Sequence, residues 1–324
     1  MTIGRSLPLR AAIAAAVLLL QPIVPTHAAD KIRAGKAINV IWAMVPVDIA
    51  IHEGIFAKYG VEVEVATMSG DAKLQQGLAA GSLDIGLAGG TSMVFAAKGA
   101  PIRGIAAIAG APSNFSVTVA ADSDIKTVAD LKGRLLSVAT SGSFPEWLIK
   151  RLAIGEGWGP TGIRTTAVGG FEASAAAMQT HQTDGFMGAT EAGLMLEEKH
   201  VGRVLNTMEK YVPRFHNHVL VARTEVIKDQ PDAVARFLKG FFAAVAFMKA
   251  NRDKTIAISS EVMHMSPAVI SKTYDDEIAM LSTDGAFDPE AIDVLKASYV
   301  EMGMLEQKPT TEQILTTEFT PVKF

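Results

Sequence analysis

From residue 37 onward, short β-branched or apolar runs alternate with stretches of helical periodicity, a pattern that predicts βαβ units around a mostly parallel sheet. Strands are predicted at 38–43, 61–67, 84–88 and 102–109. Helices are predicted at 48–59, 71–80 and 91–98, each followed by a closing glycine: Gly60, Gly81 and Gly99. These elements make a first lobe.

The same alternation restarts after Lys126, with strands predicted at 134–139, 163–168, 185–187 and 203–205 and helices at 146–154, 171–180 and 192–200. A second lobe of similar plan follows. A short echo supports the likeness, since 80–86 and 180–185 both place a helix end, a turn and an aspartate, Asp84 or Asp184, directly before a strand. Two further segments resemble each other, Ser-Val-Thr-Val-Ala at 116–120 and His-Val-Leu-Val-Ala at 218–222. They are read as two hinge strands crossing between the lobes, which divides the chain into a first lobe at 29–117, a second at 118–218 and a return at 219–324. Beyond the second crossing the pattern is helical, with Pro231 opening a long amphipathic run and helices expected at 253–262, 266–280 and 289–302. Phe237, Phe241, Phe242, Phe247 and Met248 recur at helical spacing and belong to a core, which places these helices back over the first lobe.

The N-terminus changes the picture. Arg5 and Arg10 precede an apolar stretch at 11–20 and small residues at 26–29, the pattern of a signal peptide spanning 1–28 with cleavage after Ala28. The stretch is about half the ~20 residues needed to span a bilayer, and no later run stays apolar long enough, so no membrane anchor is expected. The chain has no cysteine, which removes disulfides, thiolate chemistry and lipid attachment. Roughly 295 residues remain after cleavage, more than one core usually serves, in keeping with two lobes and a monomer. Loss of Arg5 and Arg10 takes the net charge from −4 to −6. A mildly acidic surface without basic runs argues against nucleic acid as a partner. An exported protein with no anchor needs an outer membrane to retain it, so the expected compartment is the periplasm.

Three stretches then carry a likeness: Ala-Ile-His-Glu-Gly-Ile-Phe-Ala-Lys-Tyr-Gly-Val-Glu-Val at 50–63, Leu-Ala-Ala-Gly-Ser-Leu-Asp-Ile-Gly at 78–86, and Val-Ala-Asp-Leu-Lys-Gly at 128–133. Together they resemble the nitrate/sulfonate/taurine-type substrate-binding proteins of ABC importers, a family that also includes binders of thiamine precursors and other heterocycles. The resemblance implies a type II periplasmic binding protein fold, with the ligand in the cleft between two α/β lobes. It also implies an ABC permease, and through it an ATPase, as partners. The expected ligand is a small organic or inorganic anion or a heterocyclic compound, and no cofactor is implied.

Ligands of open parallel sheets sit beyond the carboxyl ends of the strands, where helix N-termini offer unpaired N–H groups, so the strand-to-helix turns are the candidate site. In the first lobe these turns hold Met44 and Asp48, Ser69 and Gly70, and Gly90, Thr91 and Ser92. Asp48 either meets ligand or stabilises its helix start. Ser69 and Gly70 suit either a cap or close backbone approach. The Gly-Gly-Thr-Ser run at 89–92 forms an anion-accepting nest with side-chain donors, or merely packs a helix tightly on its strand. In the second lobe, Ser141, Gly142, Ser143 and Phe144 open a helix. Ser143 and Glu146 have capping-box spacing, and Phe144 is suited to stack on a planar ligand. Gly169 and Gly170 open another turn. Glu191 follows the next strand and either meets an amine or ring N–H or stabilises its own helix. That last turn carries alanine and threonine where sulfonate- and nitrate-type relatives carry an aromatic residue and an acid. None of the six turns contains arginine, which a strongly charged dianion would want.

His216 and His218 share a strand face, but no further ligand cluster accompanies them, so no metal site is expected. The competing readings are a same-fold enzyme, of pyrimidine-forming or menaquinone-precursor type, and a sensor that presents ligand to a receptor. The first lacks both the cysteine-rich motif of the pyrimidine synthases and any Ser-His-Asp order or phosphate loop.

Overall fold

Two five-stranded sheets organise the computed structural model, which describes Met1–Thr2, Ala29–Met68 and Gly70–Phe324. Most of the expected signal peptide, and Ser69, lie outside the described residues. The chain lays down β1 (Asp30–Lys36), β2 (Val61–Thr67), β3 (Ile85–Gly89) and β4 (Ile102–Ala109) in the first sheet. It then forms β5 (Phe115–Ala120), β6 (Leu135–Val138), β7 (Arg164–Ala167), β8 (Gly185–Ala189) and β9 (Gly202–Thr207) in the second, before β10 (His218–Arg223) returns to the first. Strand orders are β2-β1-β3-β10-β4 and β7-β6-β8-β5-β9. In each sheet three parallel strands are followed by one antiparallel strand, β10 or β5, that arrives from the other lobe. The two lobes therefore have one plan.

The short echo has a structural cause. Asp84 accepts the Arg33 backbone N–H at 2.9 Å, and Asp184 accepts that of Leu135 at 2.7 Å, so each aspartate ties the start of its strand to the neighbouring parallel strand. Arg33 and Arg134 complete the arrangement, reaching Asp84 at 2.6 Å and Asp184 at 3.3 Å.

The helices are α1 (Pro46–His52), α2 (Ile55–Lys58), α3 (Asp71–Ala79), α4 (Val94–Ala97), α5 (Phe144–Gly155), α6 (Phe171–Gln179) and α7 (Thr190–Glu198). After β10 come α8 (Thr224–Asp229), α9 (Pro231–Ala250), α10 (Arg252–Met263), α11 (Pro267–Glu277), α12 (Pro289–Glu301) and α13 (Thr311–Ile314). Helix α9 packs on α1 and α2 and covers the first sheet, as its apolar stripe requires. Phe237, Phe241, Phe242 and Met248 are wholly buried, and Phe237 stacks on Phe56 with ring centroids 5.1 Å apart. Each such side chain contributes about 1.5–3 kcal/mol by leaving water. Among the described residues no helix is long and apolar enough to cross a membrane.

Two expectations fail locally. No strand forms at 38–43; the first strand is β1, and Trp42–Met44 is a single 3₁₀ turn leading into Pro46. The charges of β1 hide it from a hydropathy pattern, because Lys31, Arg33 and Lys36 all find carboxylates on neighbouring elements. Nor do the segments 116–120 and 218–222 themselves cross between lobes. They are β-branched, buried strands inside a sheet, and the crossings are made by the residues just before them, 110–114 and 208–217.

Candidate functional site

Between the sheets lies a cavity of about 480 Å³, walled by turns at the carboxyl ends of parallel strands from both lobes. The first lobe contributes the turn after β1 (Ala37, Ile38, Ile41, Met44), Gly70 and Asp71 at the start of α3, and Gly89, Thr91 and Ser92 after β3. The second lobe contributes 139–145, after β6. Phe215 and Asn217 line it from the second crossing, Phe115 and His218 from the starts of β5 and β10, and Met304, beyond α12, from the C-terminal segment.

Of the residues expected from the sequence, the structure gathers Met44, Gly70, Thr91, Ser92, Ser141, Gly142, Ser143 and Phe144 around this one cavity. It does not bring Asp48, Gly90, Gly169, Gly170 or Glu191 there, and Ser69 lies outside the described residues. Asp48 is instead 2.8 Å from Lys36 Nζ, and Gly90 is buried against the second crossing, its N–H donating to the Asn217 carbonyl at 2.7 Å. Gly169 and Gly170 are exposed, and Glu191 is buried with Trp42.

The helix start at 140–146 is built differently from a capping box. Glu146 accepts the Gly142 N–H at 2.6 Å and the Thr165 hydroxyl at 2.8 Å, which closes the turn. Ser143 occupies the N-cap position and lines the cavity, yet its hydroxyl oxygen is buried without a hydrogen-bond partner. Gly142 has φ of +72°, a left-handed angle that favours glycine. Gly70 likewise needs glycine, at φ +103°, to bring its N–H within 2.8 Å of the Ala37 carbonyl and start α3 beside the cavity.

Aromatic rings form one wall. Phe144 stacks on Phe215 with centroids 5.1 Å apart and planes 11° apart, and Phe115 meets Phe144 edge-on at 5.3 Å. Trp147 backs this wall, its indole N–H donating to Glu301 at 2.6 Å and so tying α5 of the second lobe to α12.

The polar side chains are the hydroxyls of Thr91, Ser92, Thr140, Ser141 and Ser143, which can donate or accept, with Asp71, Asn217, His218 and Lys98. Asp71 accepts the Gly89 N–H at 3.2 Å, and burial raises its carboxyl above the usual range against the pull of that N–H and the adjacent Ser92 hydroxyl. His218 is pushed down to about 4 by burial, so its ring is neutral at neutral pH. Its Nε2 lies 2.8 Å from the Asn114 amide nitrogen, and Asn217 donates in turn to the Asn114 oxygen, a buried chain that joins the two crossings. In that orientation Nε2 accepts, and the Asn217 side-chain oxygen is left without a partner. His216 is also committed, its Nε2 accepting the Asp288 N–H at 2.8 Å. Among the described lining residues the one cation is Lys98, which is exposed.

Sequence reasoning missed Asp71, Phe115, Phe215, Asn217 and Met304 as cavity residues. Asp71 was within reach, one residue past Gly70 at a helix start. The others meet only because the crossings and the end of α12 converge, which no local spacing reveals.

Known proteins share this architecture. The periplasmic aliphatic sulphonate binding protein SsuA from Escherichia coli superposes with a TM-score of 0.73 at 21% identity, covering 89% of this chain and 92% of that one. A mutant of the desulfurization enzyme DSZB, in complex with biphenyl-2-sulfinic acid, superposes at 0.67 with 12% identity, covering 90% and 97%, so the fold serves both binding proteins and an enzyme. In sequence, a Brucella abortus (strain 2308) protein named "Putative binding protein" is 24% identical over 273 residues, 76% of this chain and 78% of its own. The family model described as NMT1/THI5 like matches residues 43–255, a span that holds every strand but β1 and both crossings and runs into α10, and the chain belongs to that family.

Proposed function

We propose that the protein is the solute-binding component of an ABC importer, acting in the periplasm as a monomer and handing its ligand to a permease. The observation that carries this reading is a cavity walled by strand-end turns from both of two lobes, between which the chain passes in two crossings. Such an arrangement closes on a small molecule by rotation about the crossings. The sulfonate-binding neighbour and the family support it.

The cavity also favours a ligand class. Its rings suit a planar, largely apolar solute, Asp71 and the Asn217 oxygen accept hydrogen bonds, and the hydroxyls of Thr91, Ser92 and Ser141 can donate or accept them. A carboxylate in the wall and no arginine among the lining residues work against nitrate or a dianion. Catalysis gains no support from the same groups, since His218 is tied to Asn114 and the chain has no thiol.

A thermal-shift screen tests both parts. A ligand at one hundred times its dissociation constant adds about 2.7 kcal/mol of stability. Planar heterocycles and aromatic amides or amines should raise the melting temperature, whereas nitrate and taurine at millimolar concentration should not. Saturable stabilisation by nitrate or taurine alone would refute the ligand class, and no shift from any solute would count against binding itself. With a ligand in hand, Thr91→Ala should weaken it several-fold, because losing one neutral hydrogen bond costs about 0.5–1.5 kcal/mol. Titration calorimetry showing unchanged affinity would remove Thr91 from the site.

A further inference from the structure

The aromatic wall of the cavity is built by the second lobe and the second crossing, yet one of its supports comes from the first lobe. Trp147, in α5, is buried behind the wall and stacks on Phe144 and Phe215 with ring centroids 5.8 and 5.5 Å away. Its indole N–H donates to Glu301 Oε2 at 2.6 Å, a short bond of the kind a carboxylate makes. Glu301 is the last residue of α12, and α12 packs on the first lobe, where its Tyr299 hydroxyl donates to the Gly90 carbonyl at 3.2 Å. Among the described residues, Trp147–Glu301 is the hydrogen bond that joins α5 to the first lobe. A separate set of ties serves α7, with Glu191 accepting the Trp42 N–H at 2.7 Å and Glu197 pairing with Lys272 at 2.8 Å.

The same end of α12 shapes the cavity directly. Gly303, at φ +70°, stops the helix, and the N–H groups of Met304 and Leu305 both donate to the Tyr299 carbonyl, at 2.8 and 3.2 Å. That cap fixes where Met304 sits, and Met304 lines the cavity. The Met302 carbonyl oxygen is 3.8 Å from where a Cβ on Gly142 would stand, so the chain leaving α12 passes against the second lobe's 140–146 turn. At its start α12 is tied to the second crossing, where His216 Nε2 accepts the Asp288 N–H at 2.8 Å and Arg214 pairs with Asp288 and Glu290 at 3.0 Å each. The helix therefore runs from the crossing to the second lobe, and the Trp147 bond is the tie at its far end.

We propose that Trp147 and Glu301 are a positioning pair: their bond assembles the cavity before a ligand enters, holding the aromatic wall against the end of α12 that carries Met304. Each tie of α12 joins protein to protein, so none waits for a ligand. A site assembled in advance binds more tightly, because less ordering remains to be done on binding. The inference rests on the proposed binding function for its purpose, but its test uses no ligand, so its failure would leave that function standing.

The chain has no cysteine, so Lys73→Cys on α3 of the first lobe and Glu172→Cys on α6 of the second, both at exposed positions, give two unique sites for spin labels that report the separation of the lobes. Without ligand, the labelled protein should show one short, narrow distance distribution. Glu301→Ala should shift the balance toward a longer distance by about tenfold or more, the worth of one hydrogen bond to a charged group. Glu301 is itself exposed, so this variant leaves the core intact. Glu301→Gln, whose amide oxygen still accepts, should shift the balance less. Trp147→Phe, which keeps a stacked ring and loses the donor, should match Glu301→Ala, and in the double variant the two effects should not add. In ¹⁵N-labelled protein the Trp147 indole N–H resonance should move and exchange faster with water in Glu301→Ala, a readout that depends neither on the labels nor on whether Trp147→Phe folds. A long distance in the labelled protein with Trp147 and Glu301 intact, an unchanged distance in Glu301→Ala, an indole resonance indifferent to that change, or a Glu301→Gln shift equal to that of Glu301→Ala would each overturn the proposal.

Discussion

Replacing Gly90 by alanine should cost more than any other single methyl group added to this protein. A Cβ at Gly90 would lie 1.8 Å from the carbonyl oxygen of His216, which is backbone of the second crossing. No rotamer change relieves such a contact, so the end of β3 and the crossing must separate. Their separation also strains the Gly90 N–H bond to the Asn217 carbonyl and the Tyr299 hydroxyl bond to the Gly90 carbonyl, at 2.7 and 3.2 Å. Overpacking costs about 1–3 kcal/mol even where side chains can yield, so the loss here should reach or exceed the upper end. At about 2–4 °C per kcal/mol, the melting temperature should fall by roughly 10 °C. Gly170→Ala is the matched control, because Gly170 is exposed, has an ordinary φ of −70° and would meet only Glu172 Oε2 at 3.7 Å. It should melt with the wild type. A Gly90→Ala variant that also melted with the wild type would mean the crossing does not hold this position in solution.

Gly90 also marks how far the sequence carried the site. Gly-Gly-Thr-Ser at 89–92 announced a glycine-dependent turn, and the turn does border the cavity through Gly89, Thr91 and Ser92. Local spacing cannot tell a glycine that admits a ligand from one that admits another stretch of backbone, and Gly90 is buried against the crossing. Glu191 poses the same ambiguity in a side chain. An acid in a helix's first turn is compatible with a ligand, a dipole or a partner from the other lobe, and the partner, Trp42, lies 149 residues away in sequence. Turns whose walls are local, such as 141–144, were legible. Walls made by convergence, such as Phe215 with Phe144, were not.

The fold was more legible than the site because period-2 and period-3.6 patterns are local, and burial enforces them. β4 has the predicted bounds, 102–109, and α9 opens at Pro231 as its first-turn proline requires. The exception, β1, failed for a reason of charge: alternation of Lys31, Arg33 and Lys36 with smaller residues looks solvated until the carboxylates that meet them are known.

The last of those partnerships gives the other large effect. Lys36 and Asp48 lie 2.8 Å apart with side chains only 4% and 15% exposed, and Asn39 accepts a second bond from Lys36 at 3.0 Å. The pair ties the end of β1 to α1 and so frames the turn of Ala37, Ile38 and Ile41 that walls the cavity. Burial raises the Asp48 carboxyl even with Lys36 beside it, so desolvation outweighs attraction there. That balance makes opposite predictions for one substitution and for two. Lys36→Met should destabilise by about 3–5 kcal/mol, because it strands an unpaired charge at Asp48, and the loss should shrink on acidification as Asp48 takes up a proton. Lys36→Met combined with Asp48→Leu should return to within about 1 kcal/mol of the wild type, since an apolar pair of similar volume replaces an ion pair whose attraction does not offset the desolvation of Asp48. Chemical denaturation of the wild type, both single variants and the double variant closes the cycle. Costs that simply add in the double variant would show that the two charges are not coupled, and that the end of β1 is held by its packing alone.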